Sequence, residues 1–244
     1  MTIQSGKIYT RPLVIGLSGK IGCGKTTVSE LLCRLLQTRL GMTVARTSFG
    51  GILKEAVAHL FGFPVEWCYC VEGKDQYVKL NRDFYVLKED TKWFKDDFCF
   101  TKQIAIVPHV KGLTVRNLLQ WWGTEVARRH NPDYWADLWL HKVRSSPIYN
   151  IILVDDVRFP NEVETIRNKV GIGGVYRIAP YVGWDKHCEH ESETALDDWD
   201  FGADYWYRSP EYGHNALQAL AWDIYKDIES GEFERRVAEN LEVV

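Results

Sequence analysis

Gly19-Lys20-Ile21-Gly22-Cys23-Gly24-Lys25-Thr26 is the stretch of this sequence whose residue types and spacing specify chemistry most directly. It fits G-x-x-x-x-G-K-[ST] and lies between the apolar run Leu13-Val14-Ile15-Gly16-Leu17 and a helical pattern, which is the context that such a loop needs. Glycines let the chain curl so that successive N–H groups converge on phosphate oxygens. The helix that follows adds its unpaired amides and the positive end of its dipole. Gly19, Lys20, Gly22, Cys23, Gly24, Lys25, Thr26 and Thr27 are therefore the expected contacts of the ATP phosphates. Lys25 is expected to reach the β and γ groups, and the Thr26 hydroxyl to bind Mg²⁺. Cys23 reads as a filler, because phosphoryl transfer through such a loop needs no covalent enzyme intermediate.

A second acidic point follows the apolar run Ile151-Ile152-Leu153-Val154, where Asp155 and Asp156 close a predicted strand. The carboxyl end of a parallel strand is where an α/β sheet presents side chains to ligand, so both aspartates join Thr26 as candidate magnesium ligands. Arg158, two residues on, is placed to meet phosphate oxygens if the turn folds back, and Lys25, Asp156 and Arg158 form the candidate catalytic set. The alternative is an acid cluster at a helix start with a surface arginine. Cys68 and Cys70 form a C-x-C pair without a second pair at metal-site spacing, which favours an ordinary packing role.

These residues need a scaffold, and the pattern predicts an alternation of strands and helices. Val28, Leu31, Leu32 and Leu35 repeat at helical spacing over Thr26–Leu40, and Gly41 is a natural stop. Thr43–Phe49 reads as a strand and Gly50-Gly51 opens a helix that runs to Gly62. Thr114 is a plausible N-cap for a helix to His130, and Pro132 starts another through Trp135, Leu138 and Trp139. Pro160–Val170 reads as a helix, Gly174–Ala179 and Gly202–Tyr207 as strands, and Asn215–Glu229 as a last helix. The expected fold class is α/β, a three-layer αβα sandwich of the P-loop type around a parallel sheet. One domain over 1–244 is expected, with a core of about 12–50 and 146–230 and an acceptor-binding insertion of about 51–145. Residues 64–112 lose clear periodicity.

The chain has 244 residues, 45% hydrophobic and 26% charged, an ordinary globular composition. A net charge of −3 argues against a protein that coats nucleic acid. The lack of a signal peptide, and a cysteine inside the phosphate loop, point to a reducing cytoplasm. No stretch has the length and apolarity to cross a bilayer.

Several blocks, in order, resemble the deoxynucleoside monophosphate kinases of tailed bacteriophages, within the wider nucleoside monophosphate kinase superfamily. They are the loop Gly19–Thr26; Ser48-Phe49 with Leu53-Lys54-Glu55; Arg116-Asn117-Leu118-Leu119-Gln120 with Gly123-Thr124 and Tyr134-Trp135; Asp156-Val157-Arg158 with Asn161-Glu162; and His190-Glu191-Ser192-Glu193. The resemblance implies that Lys54, Arg116, Gln120 and Thr124 face an acceptor nucleotide and that Arg128 or Arg129 clamps its phosphate. Being adjacent, those two arginines cannot share one direction, so at most one is expected to point at substrate. Trp135 is placed with the acceptor residues, although indoles at helical spacing also suit a core. The resemblance further implies that Arg158 acts at the transferring group and that His190, Ser192 and Glu193 belong to a lid-like segment over about 180–200. It implies host-cell cytoplasm as the location.

The expected reaction moves the γ-phosphoryl of ATP to a deoxynucleoside 5′-monophosphate, with ATP and Mg²⁺ as cofactors and small nucleotides as partners. Two alternatives stand beside it. One is a P-loop kinase acting on a hydroxyl of a modified base in DNA, which would need Asp155 or Asp156 as a base and would bring DNA in as a partner. The other is a non-kinase ATPase switch. A homodimer is left open.

Overall fold

The computed structural model describes residues 11–78, 85–86, 104–105, 113–145, 149–179, 190–201, 206–208 and 213–242. In chain order its elements are β1 (Leu13–Gly19), α1 (Lys25–Leu40), β2 (Val44–Thr47), α2 (Phe49–Phe61), a 3₁₀ turn (Val65–Cys68), α3 (Val71–Lys74), β3 (Tyr77–Val78), β4 (Tyr85–Val86), β5 (Ile104–Ala105) and β6 (Leu113–Thr114). There follow α4 (Val115–Gln120), which continues as a π-helix (Trp121–Arg128), α5 (Tyr134–Arg144), β7 (Ile151–Val157), α6 (Pro160–Thr165) running into a π-helical turn (Ile166–Val170), and β8 (Ile172–Ala179). The chain then forms α7 (Glu191–Thr194), β9 (Trp206–Arg208), α8 (His214–Ser230) and α9 (Glu232–Glu242).

The chain divides into two compact units, Met1–Gly51 with Ala136–Val244, and Ile52–Trp135. Among the described residues of the first unit, five strands form one sheet in the order β2-β7-β1-β8-β9. Each neighbouring pair in it is parallel. The fold is α/β with a parallel sheet flanked by helices, as the alternating pattern predicts. β1 lies at the centre, and its Leu13, Val14, Ile15 and Leu17 are fully buried, as expected of a strand covered on both faces. α1 turns Val28, Leu32 and Leu36 inward, while Leu31 and Leu35 are only half-buried and line a surface groove with Ala219 and Trp222 of α8.

Element bounds differ from the sequence reading in instructive ways. The second strand stops at Thr47, because the Ser48 hydroxyl accepts a hydrogen bond from Gly51 N at 2.9 Å and so begins α2 at Phe49, one residue before the glycine pair. α5 starts at Tyr134 rather than Pro132, after Asn131 closes a turn by accepting from Asp133 N on its side chain and from Tyr134 N on its carbonyl, both at 3.0 Å. β7 runs on through both aspartates to Val157. The apolar stripe of α9 escaped the sequence reading, although Phe233 and Val237 are buried. Of the expected strand Gly202–Tyr207, residues 202–205 lie outside the described residues, as does 180–189 of the lid-like segment.

In the second unit Thr114 caps α4 as expected, its hydroxyl accepting from Asn117 N at 3.2 Å. β3 pairs antiparallel with β6, and β4 with β5, giving structure to parts of 64–112 that periodicity did not resolve. Much of the remainder of that stretch lies outside the described residues. Phe61 meets Trp122 edge-on at 5.4 Å between ring centroids.

The fit of β8 under the turn after α6 is tight. A Cβ at Gly173 would stand 1.9 Å from the Ile166 carbonyl oxygen, a backbone atom that cannot step aside. Gly173→Ala is expected to destabilise the chain by about 1–3 kcal/mol through overpacking, seen as a lower midpoint in thermal unfolding. An unchanged midpoint would contradict the packing described.

Candidate active site

β1 delivers the chain into the glycine-rich loop, and the loop's shape is set by left-handed backbone. Gly22 has φ 76° and Gly24 φ 94°, values that side chains rarely adopt, and a Cβ on Gly24 would also meet Leu217 of α8 at 2.5 Å. Gly24 is the N-cap of α1, and its carbonyl accepts from Val28 N at 2.9 Å. No side chain caps that helix among the described residues, and its first turn carries no acidic residue. The N-terminal amides of a 16-residue helix are thus left as donors at the positive end of its dipole. Cys23 is buried, its sulfur lying where a Cβ on Gly19 would approach to 2.6 Å, so it fills the curl of the loop. Thr26 is exposed and Thr27 half-buried.

The Lys25 side chain is only 8% exposed. Its ammonium donates to the carbonyls of Gly19 at 2.8 Å and Lys20 at 3.0 Å, and stands 3.3 Å from Asp156 Oδ1. Asp156 has φ 69° and is the one non-glycine residue with positive φ among those described. Its Oδ2 accepts from Arg158 Nε at 2.8 Å, and its Oδ1 is closed to solvent. Burial alone would raise the carboxyl, but Arg158 and then Lys25 outweigh it and hold it at about 2. The aspartate is therefore a fixed anion between two cations. Arg158 is anchored further by its own N–H, which donates to Glu162 Oε2 at 2.8 Å.

Asp155 has a different environment. Its Oδ1 accepts from the Ser29 hydroxyl of α1 and its Oδ2 from Arg46 Nη2 of β2 at 2.7 Å. Arg46 Nε also donates to Ser29 Oγ at 3.0 Å. Burial lifts the Asp155 carboxyl above its usual range, against the pull of Ser29 and Arg46. Ser29, Asp155 and Arg46 tie α1, β7 and β2 together. Ser29 and Arg46 were missed in the sequence, where a serine one turn into a helix carries no motif.

The segment His190–Asp197 packs against the loop. Glu193 pairs with Arg158 through Oε1 and accepts from Ile21 N at 2.9 Å through Oε2, while Arg158 Nη1 donates to the Ser192 carbonyl at 3.2 Å. Lys20 donates to the Glu193 carbonyl and to Asp197, both at 2.6 Å. Arg177 of β8, pushed below its usual range by burial, bonds Ser18 Oγ at 2.9 Å and Asp197 at 3.3 Å. The His190 ring accepts from Ser192 N at 3.2 Å and so caps α7. Asp197 and Arg177, reached through Lys20 of the loop, thus extend the cluster beyond the motif.

The expected acceptor residues belong to the second unit. The Lys54 ammonium lies 4.4 Å from the Tyr69 ring centroid, and exposed Arg116 pairs with Asp75 at 3.4 Å. Gln120 and Arg129 are exposed and Thr124 half-buried, while Arg128 is half-buried and donates to the Pro132 carbonyl at 3.3 Å. The two adjacent arginines differ in exposure. Trp135 is 2% exposed, gives its indole N–H to the Gly123 carbonyl at 3.0 Å and meets Tyr134 edge-on. That is a core indole, and the expectation that it faces a nucleotide is corrected accordingly. Cys70 accepts from Gly73 N at 3.3 Å to cap α3, and no group of three metal-binding His, Cys, Asp or Glu residues occurs among the described residues.

No protein-family model matches the chain, and no curated protein matches it in sequence. Among solved structures it is similar to a shikimate kinase from Acinetobacter baumannii in complex with shikimate, with 14% identity, 91% of this chain and 95% of that chain covered, and a TM-score of 0.38. The α/β class and the strand–loop–helix context rest on this chain's own ladders and loop. No helix among the described residues is long and apolar enough to cross a membrane.

A carboxyl held below its ordinary value stabilises the fold at neutral pH, and that contribution is lost as pH falls from 3.8 through about 2. Asp156→Asn tolerates the positive φ, removes the charge and turns one of the two acceptor oxygens into a donor. The variant is expected to be less stable than the parent at neutral pH, with the difference between their urea midpoints narrowing across that acid range. A constant difference would contradict the assigned ion pairs.

Proposed function

We propose that the chain transfers the γ-phosphoryl group of ATP to a deoxynucleoside 5′-monophosphate, giving the diphosphate and ADP. The observation that carries this reading is the single carboxylate of Asp156, which holds Lys25 of the glycine-rich loop and Arg158 at one point. Two cations on one pivot suit a transferring phosphoryl group, whose charge spreads over three oxygens and needs donors from more than one direction. Arginine's planar fork matches such an oxyanion better than a point charge does. In this reading the amides of Ile21 to Thr26 hold the polyphosphate, Lys25 follows the charge toward the leaving oxygen, and Arg158 covers the γ group.

Thr26, Asp155 and Asp156 offer the hard oxygen donors that magnesium takes, and the ion would supply charge neutralisation on the β and γ phosphates. Asp155 already accepts hydrogen bonds on both oxygens, so its part would be to orient water or Thr26 as much as to bind directly.

The acidity of Asp156 also bears on the acceptor. A general base works best with its pKa near the operating pH, and a carboxyl held at about 2 is a poor one. A 5′-phosphate is already an oxyanion and needs no base, whereas a hydroxyl on a modified base in DNA would. Asp156 is therefore not the base of a hydroxyl acceptor; Asp155, lifted by burial but bonded on both oxygens to Ser29 and Arg46, is the other carboxylate that such an acceptor would call on. The acceptor side is assigned to Lys54, Arg116, Gln120, Thr124 and one of Arg128 and Arg129, on the strength of the sequence blocks.

The test is ADP release measured against each deoxynucleoside monophosphate in turn. Strong stimulation by one or two of them is expected. Basal hydrolysis alone would indicate an ATPase switch, and stimulation only by modified DNA would indicate the hydroxyl acceptor. Lys25→Ala is expected to lower kcat by about 10²–10³-fold while leaving the far-UV spectrum unchanged. Full turnover by a folded Lys25→Ala protein would remove the loop from the reaction.

A further inference from the structure

We infer that Glu193 is an affinity-setting residue of this site: its carboxylate holds donors that a nucleotide's polyphosphate would use, so the polyphosphate binds by displacing it. This rests on the reading of Gly19–Thr26 as the polyphosphate cradle.

The geometry is specific. Glu193 Oε2 accepts the Ile21 N–H at 2.9 Å, and Ile21 is the third residue of the loop. Oε1 pairs with Arg158 Nη1, and the side chain is only 6% exposed. A carboxylate and a phosphoryl group are both oxyanions that favour charge-assisted bonds from amides and guanidinium forks. The amide of Ile21 carries one hydrogen, so at hydrogen-bond distance it serves one of the two oxyanions at a time. Arg158 has more donors, but Nε is engaged by Asp156 and Nη1 by Ser192 and Glu193.

The backbone around Glu193 is held independently of its carboxylate. Lys20 donates to the Glu193 carbonyl at 2.6 Å and to Asp197 at 2.6 Å, and Arg177 reaches Asp197 at 3.3 Å. The side chain can therefore leave the loop by rotation while Lys20 and Arg177 keep the segment in place. A ligand that must displace a resident anion binds more weakly by the fraction of time the site is occupied. Removing the charge of that anion should raise affinity, which is the opposite sign to that of a residue that merely positions Arg158.

The measurement is calorimetric binding of the magnesium complex of the β,γ-imido analogue of ATP to the full chain, which needs no turnover. Glu193→Gln keeps an acceptor for Ile21 N–H and a near-identical shape, so the fold is retained. It is expected to bind the analogue about 5–10-fold more tightly than the parent. Glu193→Asp keeps the charge but is one methylene too short to span Ile21 and Arg158 together, and is expected to give a smaller gain. Unchanged or weaker binding by Glu193→Gln overturns the inference, and weaker binding joined to a lower kcat assigns Glu193 to positioning Arg158 instead. Lys25→Ala run alongside separates the two levels. If it weakens binding while Glu193→Gln does nothing, the cradle stands and the role of Glu193 falls; if it leaves binding unchanged, the cradle reading falls and this inference with it.

Discussion

Two cations meeting on one half-buried carboxylate is the constraint around which the first unit is arranged. Lys25 comes from the start of α1 and Arg158 from the turn after β7, and Asp156 lies between them as the partner they share. Desolvation disfavours an isolated charge so strongly that each member needs its partners. Asp156 reaches both because its backbone leaves strand geometry at φ 69°. Local strain of this kind persists only where the surroundings over-determine it. Here the register supplies that restraint: β7 is pinned to β1 through Ile151–Val154, and the ladder resumes at Val157 opposite Ser18 after an irregularity.

The neighbouring aspartate has the complementary task. Asp155 and Asp156 meet different surroundings although they are adjacent in sequence, the backbone turning to positive φ at the second of them. Asp155 meets Ser29 and Arg46 and fastens the helix after the loop to the sheet edge. Asp156 meets the loop lysine. The carboxyls shift in opposite directions, up for Asp155 by burial and down for Asp156 by its cations, as two identical groups do when environment alone distinguishes them.

Much of this scaffold was legible in the sequence for a simple reason. Buried parallel strands must be continuous apolar runs, and a loop that curls around amides must carry glycine where φ is positive. Leu13–Leu17, Ile151–Val154 and Gly22 to Gly24 are forced by backbone geometry and so show themselves locally. What escaped depends on partners far apart in the chain. Ser29, Arg46, Arg177 and Asp197 are ordinary polar residues until the fold brings them within bonding distance, across separations that no periodicity reports. Helix starts moved, one residue earlier after Ser48 and two later after Asn131, because side-chain capping outweighed the more visible glycine pair and proline.

The second unit shows where residue type ceases to inform. An indole can be a stacking face or a core wedge, and only its surroundings decide between them. Trp135 gives its N–H to the Gly123 carbonyl, which a free stacking surface has no cause to do, and it is almost wholly buried. A Cβ on Gly123 would stand 2.8 Å from the end of the Leu53 side chain of α2, which would have to shift. Trp135, which the sequence blocks place near an acceptor, is therefore a core side chain. Charged residues are better guides: Lys54 over Tyr69 and Arg116 beside Asp75 keep their charges at partly or fully exposed positions, where an anion can compete for them. Trp135 thus belongs to the packing of this unit, while Lys54, Arg116 and Tyr69 keep their polar groups at its surface.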